Sequence, residues 1–98
     1  EAQGYALLFG DKSPPITGVK GHIGHAIAAS GPISVACAIE AARTGRAPAL
    51  PAHGQVDPAF AHLDLVRGAP RTMPIKRVLI HAAGLGGQTT FIALEVSA

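Results

Sequence analysis

The sequence predicts a mixed α/β chain, and three observations indicate this class. A helical pattern of Ala, Val and Ile occupies about residues 28–44, and short extended patterns rich in aliphatic residues follow it. Hydrophobic residues make up 48% of the chain but aromatic residues only 4%, which is typical of an aliphatic core. A disordered segment would be far more polar. With 98 residues, we expect one domain-sized piece over residues 1–98 without an internal boundary.

The first predicted elements are a helix and several turns. Residues 1–9 fit the last turns of a helix that ends at Gly10, and residues 11–15 form a polar turn that contains proline. We expect residues 16–20 to be extended. Two glycines within residues 21–25 then predict a tight backbone, where a side chain would obstruct something close by.

The helix over residues 28–44 is the strongest element in the pattern. Ser30 is the candidate cap, and Gly45 is expected to end the helix. Small and aliphatic residues cover most of the helix surface, so we expect it to be buried on several sides. Glu40 and Arg43 are spaced to form an ion pair on its exposed face.

Three strands are predicted after a Pro-rich connection that begins at residue 46, and they cover residues 62–67, 77–82 and 89–96. The strand over residues 77–82 is expected to be buried. The turn Gly84–Gly87 suggests that the last two strands form a hairpin. A sheet with a helix on one face needs a second layer, which the chain does not supply. We therefore expect a missing partner segment, and the start at Glu1 without Met also suggests a fragment.

Charge, cysteine content and hydropathy exclude several classes of protein. The net charge is +2 and Lys and Arg form no block, so neither nucleic acid nor an anionic membrane is indicated as a partner. The single cysteine, Cys37, allows no internal disulfide and suits a reducing compartment. No apolar run reaches the ~18 residues of a membrane-spanning helix. We therefore expect a cytoplasmic protein.

Two stretches carry the pattern that indicates chemistry. In the first, Lys20 and His25 flank four residues, the last of which is Gly24, and a run of small residues opens the long helix. The second stretch is Gly84-Leu85-Gly86-Gly87-Gln88-Thr89, near the end of the chain. Each motif is weak alone, but the order and spacing of the two together are fairly specific.

These stretches resemble the C-terminal part of the β-ketoacyl synthases, the condensing enzymes of fatty-acid and polyketide assembly. The resemblance covers nearly the whole chain, and it implies the C-terminal part of a thiolase-like αβαβα fold that is incomplete on its own. It also implies an acyltransferase that condenses an acyl thioester with a malonyl unit on acyl carrier protein. No metal or organic cofactor is implied. The implied partners are acyl carrier protein, the remainder of the synthase, and a second subunit in a homodimer or heterodimer.

The resemblance assigns roles to individual residues. His25 matches a His that helps to drive decarboxylation together with another His from outside this chain. Lys20 matches a Lys that holds the charge pattern of the site. In the glycine turn, the Leu85 amide is expected to bind the thioester oxygen. The substrate-binding residues implied there are Ala83, Gly84, Leu85 and Gly86. The nucleophilic Cys has no match in this chain, so the segment alone is expected to be inactive.

The chain departs from the family pattern at four positions. The family usually has Phe at Leu85 and commonly at Ala83, Asn at Thr89, and Gly at Ala28. Loss of both aromatic rings indicates altered or relaxed selection of the acyl chain, and loss of the Asn removes a hydrogen bond that would brace the turn. These changes fit either a divergent synthase or a catalytically silent relative.

Two alternatives therefore stay open. The first is a non-catalytic subunit of the chain-length-factor type, which pairs with an active synthase. The second is a thiolase, because residues 24–31 also resemble the His loop of that enzyme. Thiolases, however, carry a reactive Cys just before their terminal glycine turn, and Ile80-His81-Ala82-Ala83 contains none.

The remaining histidines and the cysteine have simpler interpretations. His22 and His25 lie three residues apart, but no third ligand with suitable spacing follows, so a metal site is not expected. His22 is interpreted as a lining or packing residue. Cys37 lies inside the long helix and is expected to be an inert small hydrophobe. His53, His62 and His81 are expected to be structural or exposed.

Overall fold

The computed structural model describes residues 1–97, which form three α-helices and four β-strands. The helices are α1 (Ala2–Phe9), α2 (Lys20–Ile23) and α3 (Ser30–Thr44), and a 3-10 turn, Ile27–Ala29, leads directly into α3. The strands are β1 (Arg46–Ala47), β2 (Arg71–Thr72), β3 (Arg77–Ala83) and β4 (Thr89–Glu95). This mixture of helix and strand confirms the predicted α/β class.

Helix α3 follows the prediction at its C-terminal end and departs from it at its start. Gly45 adopts a left-handed conformation with φ 67°, and its amide bonds to the Ala41 carbonyl, as expected for a terminating glycine. Ser30, however, is the first helical residue and its side chain does not cap the helix. The Glu40–Arg43 ion pair is present, with two hydrogen bonds of 2.8 and 2.6 Å.

The strands form two separate antiparallel pairs. β3 pairs with β4 over their full length, from Arg77 opposite Glu95 to Ala83 opposite Thr89, which confirms the predicted hairpin. β1 pairs with β2 over two residues each, in a region predicted to be loop. Helix α3 packs against both β1 and β3, so the hairpin and the long helix together support the segment that precedes α3.

A small cluster of buried residues lies beside the connection that follows α3. Ala47, Ala49 and Val66 are buried, and Met73 and Ile75 pack against them. Because small residues dominate this core, each of them buries little apolar surface. Hydrogen bonds between distant segments therefore help to hold the loops in position.

Several predictions are wrong in detail. The strand predicted over 62–67 is reduced to two isolated parallel bridges, Ile16 to Leu65 and Leu50 to Arg67. The tight backbone expected at 21–25 begins as the helical turn α2. Neither α3 nor β3 is as buried as predicted: Ile39 and Leu79 are each 53% exposed. About half of the surface of each of these two side chains is therefore left uncovered within residues 1–97. Within that range, no helix is long and apolar enough to cross a membrane.

Candidate functional site

The segment from Lys20 to Ser30 brings the first group of predicted site residues together. Lys20 begins α2, and the helical turn closes when the Gly24 amide donates to the Lys20 carbonyl at 2.8 Å. Gly24 has φ 79°, a conformation that residues other than glycine rarely adopt, so the chain reverses at this residue. His25 follows the reversal, and its side chain turns toward the beginning of α3.

The imidazole of His25 is held through its Nδ1 atom. The Ile27 amide donates to Nδ1 at 2.9 Å, and the Ser30 hydroxyl lies 2.9 Å from the same atom. Ser30 is only 9% exposed, so the hydroxyl expected to cap the helix is instead used inside the site. The ring is thereby fixed both to the loop and to the first residue of α3.

These contacts define which nitrogen of His25 carries the proton. A backbone amide only donates, so Nδ1 accepts its hydrogen, and in a neutral imidazole the proton then resides on Nε2. Nδ1 then carries no proton, so the Ser30 hydroxyl is the donor in the second contact. A hydroxyl can rotate to point its hydrogen at this nitrogen. Within residues 1–97 no hydrogen bond uses Nε2, so its N–H can donate to an oxygen on which negative charge develops.

Ile27 adopts a strained backbone conformation next to this histidine. Its φ is +54°, the only positive φ of a non-glycine residue within residues 1–97. A β-branched residue in this region is an outlier, because Cβ crowds the neighbouring carbonyl. The conformation directs the Ile27 amide toward Nδ1 of His25. Strain of this kind concentrates at functional sites, where the surrounding structure maintains it.

Lys20 lies beside β3, near the residue that holds His25. With Ser30, Ser34 and residues 80–82 of β3, it lines a narrow cleft of about 40 Å³, enough for a water molecule. His25 is not part of this lining, and no hydrogen bond joins it to Lys20 within residues 1–97. The structure thus places the two residues on one segment and brings Lys20, but not His25, beside the strand that leads to the glycine turn.

The glycine turn connects β3 to β4 and presents Leu85 at its tip. The Gly84 amide donates to the Gln88 carbonyl at 2.8 Å, and the Gly87 amide donates to the Gly84 carbonyl at 3.1 Å. Neither of these two hydrogen bonds uses the Leu85 amide. The Leu85 side chain is fully exposed, as are Ala83, Gly84 and Gly86 around it. Neither bond uses the Gly86 amide either, so the turn leaves the amides of Leu85 and Gly86 available to an acceptor outside these two bonds.

Gln88 is a residue of the turn that sequence reasoning overlooked. Its carboxamide lies across two glycines: a Cβ at Gly84 would lie 2.8 Å from Oε1, and one at Gly86 would lie 2.9 Å from Nε2. A side chain at either glycine would therefore displace the exposed Gln88 carboxamide from its present position. The Gln88 carboxamide occupies a place from which it supports the turn that lacks the family's Asn at Thr89.

His81 belongs to a structural cluster, as predicted. Its ring stacks on Phe91 with 4.6 Å between ring centroids, and its Nδ1 lies 2.7 Å from a Glu1 carboxylate oxygen. The Tyr5 ring contacts it edge-on. Burial, and then the Glu1 charge, raise the pKa of Tyr5 above its ordinary value. These contacts join α1 to β3, and His81 also lines the narrow cleft beside Lys20 and Ser30.

Comparison with known proteins identifies the family. The model of the β-ketoacyl synthase C-terminal domain matches residues 1–53, more than half of the chain. The chain is also 39% identical, over 96 residues, to the granaticin polyketide putative beta-ketoacyl synthase 2 of Streptomyces violaceoruber. The match covers 98% of this chain and 23% of that relative, so the chain spans about a quarter of the relative's length. The resemblance drawn from the two motifs is confirmed, with the expected C-terminal piece of a thiolase-like α/β fold: the chain belongs to the β-ketoacyl synthase C-terminal domain family.

Proposed function

We propose that the intact protein is a β-ketoacyl synthase of polyketide assembly, which condenses an acyl thioester with a malonyl unit carried on acyl carrier protein. The observation that carries this proposal is the arrangement of His25, whose Nδ1 is occupied by the Ile27 amide and whose Nε2–H is free to donate. The similarity to a granaticin polyketide β-ketoacyl synthase of Streptomyces violaceoruber supports the choice of polyketide over fatty-acid assembly.

In the proposed reaction, His25 acts on the malonyl thioester. The C–C bond to the carboxylate breaks, CO₂ leaves, and the electron pair becomes the enolate of an acetyl thioester. The His25 Nε2–H donates to the thioester oxygen as that charge develops, which lowers the barrier to decarboxylation. The enolate carbon then attacks the acyl thioester on the enzyme, a new C–C bond forms, and the cysteine thiolate leaves.

The other two site elements are proposed to support these steps. Lys20 supplies a positive charge beside β3, where it favours the anionic form of neighbouring groups. The Leu85 amide is proposed to bind the oxygen of the acyl thioester, because the hydrogen bonds of the turn do not use it. The open surroundings of Ala83 and Leu85 suit an acyl chain that is not selected by aromatic rings.

The nucleophile and the second histidine are proposed to come from residues outside this chain. Cys37 lies within α3, half-buried, twelve residues after His25, and a helix interior is unsuited to a nucleophile that must reach a large thioester. We propose acyl carrier protein and a second synthase-type subunit as the partners of the intact protein.

A substitution at His25 tests this function in the complete protein. His25→Ala should abolish CO₂ release from malonyl-acyl carrier protein, whereas His25→Gln, whose amide can replace the Nε2–H donor, should retain part of it. His62→Ala changes an exposed histidine elsewhere in the chain and serves as the matched control. Unchanged CO₂ release in His25→Ala would refute the assignment.

A non-catalytic partner subunit is the second candidate, and the departures at Ala83, Leu85 and Thr89 favour it. Such a subunit keeps the fold but forms no acyl-enzyme. Intact mass of the complete protein after incubation with acyl donors separates the two candidates. A thioester adduct outside residues 1–98 supports the synthase, and a folded protein that forms none with several donors supports the silent subunit.

A further inference from the structure

Two residues after Lys20, the His22 side chain leaves α2 and contacts the connection that follows α3. Its Nε2 lies 2.6 Å from the carbonyl oxygen of Ala49. A carbonyl only accepts, so Nε2 is the donor and carries a proton. Ala49 is buried in the small core beside Val66, so the acceptor belongs to a fixed part of the molecule.

Neighbouring contacts join the same two segments. The Thr17 hydroxyl donates to the Pro48 carbonyl. Gly21 lies so close to Pro51 that a Cβ would be 2.7 Å from the proline Cγ. The absence of a side chain at Gly21 therefore allows α2 to approach Pro51 and places the His22 ring within reach of Ala49.

From this geometry we propose that His22 is a positioning residue for the site, acting through Lys20 and His25 and never touching substrate. His22 lies between these two residues in sequence, and its hydrogen bond attaches their segment to the buried core. Lys20, His22 and His25 are all exposed, and of these three side chains only that of His22 hydrogen-bonds to this core within residues 1–97. Without the His22 bond, α2 can shift relative to α3, and the ring of His25 loses its alignment with the Ile27 amide. The inference rests on the proposed decarboxylase chemistry and identifies the contact that organises it.

Two substitutions separate the hydrogen bond from packing. His22→Phe keeps a ring of similar size without a donor, and His22→Gln keeps a donor without the ring. Misplacement of catalytic groups by about 1 Å can cost up to 10²-fold in rate. We expect His22→Phe in the complete protein to lower the rate constant of malonyl decarboxylation 10- to 100-fold with KM changed less than about threefold, and His22→Gln to recover most of that rate. His62→Phe, at an exposed histidine, is the control and should match the wild type.

A second readout tests the inference without relying on activity. In ¹⁵N-labelled protein, the His25 ring should be a single Nε2–H tautomer in the wild type and a mixture of tautomers in His22→Phe. If His22→Phe does not fold, Gly21→Ala should push α2 away from the same connection at Pro51, and Pro51→Ala added to it should restore both readouts. Unchanged His25 signals in a folded His22→Phe or Gly21→Ala protein would overturn the positioning role. A wild type that shows the single tautomer but releases no CO₂ would refute the proposed function. In that case, mixed tautomers in the variants would still support the positioning role of His22.

Discussion

The left-handed backbone of Ile27 makes a prediction about stability that can be worked out from its geometry. An L-residue in this conformation costs about 1–2 kcal/mol, because its Cβ crowds the next carbonyl. Glycine has no Cβ and escapes this cost. Relative to alanine, glycine loses about 0.4–1 kcal/mol through the greater freedom of the unfolded chain. At position 27, where φ is +54°, the strain that glycine avoids exceeds the entropy that it loses on folding. Ile27→Gly should therefore be more stable than Ile27→Ala by about 1 kcal/mol.

Ile39 offers a matched comparison in ordinary helical backbone. It lies in the interior of α3 and is 53% exposed, whereas Ile27 is 75% exposed. Inside a helix, alanine is more stable than glycine by about 1 kcal/mol. The Gly and Ala variants at one position remove nearly the same side-chain contacts. The difference between their free energies of unfolding therefore reports the backbone preference at that position. The preference between Gly and Ala should therefore reverse sign between the two positions, a total difference of about 2 kcal/mol.

Urea unfolding of the four variants measures this reversal. For a slope near 2 kcal/mol per molar, each kcal/mol shifts the midpoint by about 0.5 M, provided that the slope itself does not change. We expect the higher midpoint for Gly at position 27 and for Ala at position 39. Alanine variants that are more stable than glycine variants at both positions would show that Ile27 carries no backbone strain.

Three further changes test single contacts of the fold. The Arg71 guanidinium, mainly by hydrogen bonding, lowers the pKa of Asp64. The ion pair therefore stabilises the folded state fully above the ordinary carboxyl pKa of about 3.9, and this stabilisation is lost as pH falls through the lower pKa of the folded state. The urea midpoint of Asp64→Asn should therefore lie below that of the wild type at pH 7 and approach it near pH 2.5; a constant difference would refute the ion-pair origin. Gly86→Ala should change the free energy of unfolding by less than about 0.5 kcal/mol, because the exposed Gln88 carboxamide can move aside, and a loss above about 1 kcal/mol that Gln88→Ser relieves would contradict this mobility. His81→Ala should lower the free energy of unfolding by at least about 1–2 kcal/mol through lost ring stacking, and a change within about 0.5 kcal/mol would contradict that role.

The predicted elements succeed where local sequence determines the structure. The hairpin of β3 and β4 was predicted within one residue at each end, because two aliphatic runs flank a glycine turn and pair with each other. The predicted end of α3 at Gly45 follows from a left-handed terminator that is also local. Both features depend on neighbours in sequence.

The failures occur where distant segments decide the structure. Residues 62–67 have the composition of a strand, but their partners are two short segments near Ile16 and Leu50, each of which offers a single bridge. The helical turn α2 contains Gly21, which disfavours helix by itself, and a contact with Pro51 across 30 residues of sequence accommodates it. Pattern reasoning sees neither partner.

The candidate site divides in the same way. The spacing of the two motifs selects Lys20, His25 and the glycine turn as candidate site residues, and their roles stay predictions. The two groups that hold His25, the Ile27 amide and the Ser30 hydroxyl, were not found. A positive φ at isoleucine opposes intrinsic preference, so no propensity argument would select it. Ser30 was assigned to helix capping because serine is favoured there, and the nearby imidazole took its hydroxyl instead.

The spacing of the first motif has a physical explanation in these contacts. The segment is attached to the core at His22 and to α3 at Ser30, and His25 lies between the two attachments. One inserted or deleted residue moves the chain by about 3.3–3.6 Å, whereas a hydrogen bond tolerates only a few tenths of an ångström. A change in length on either side of His25 would thus break one attachment or withdraw the ring from the Ile27 amide. The fold therefore constrains the number of residues between His22 and Ser30 as well as their identity.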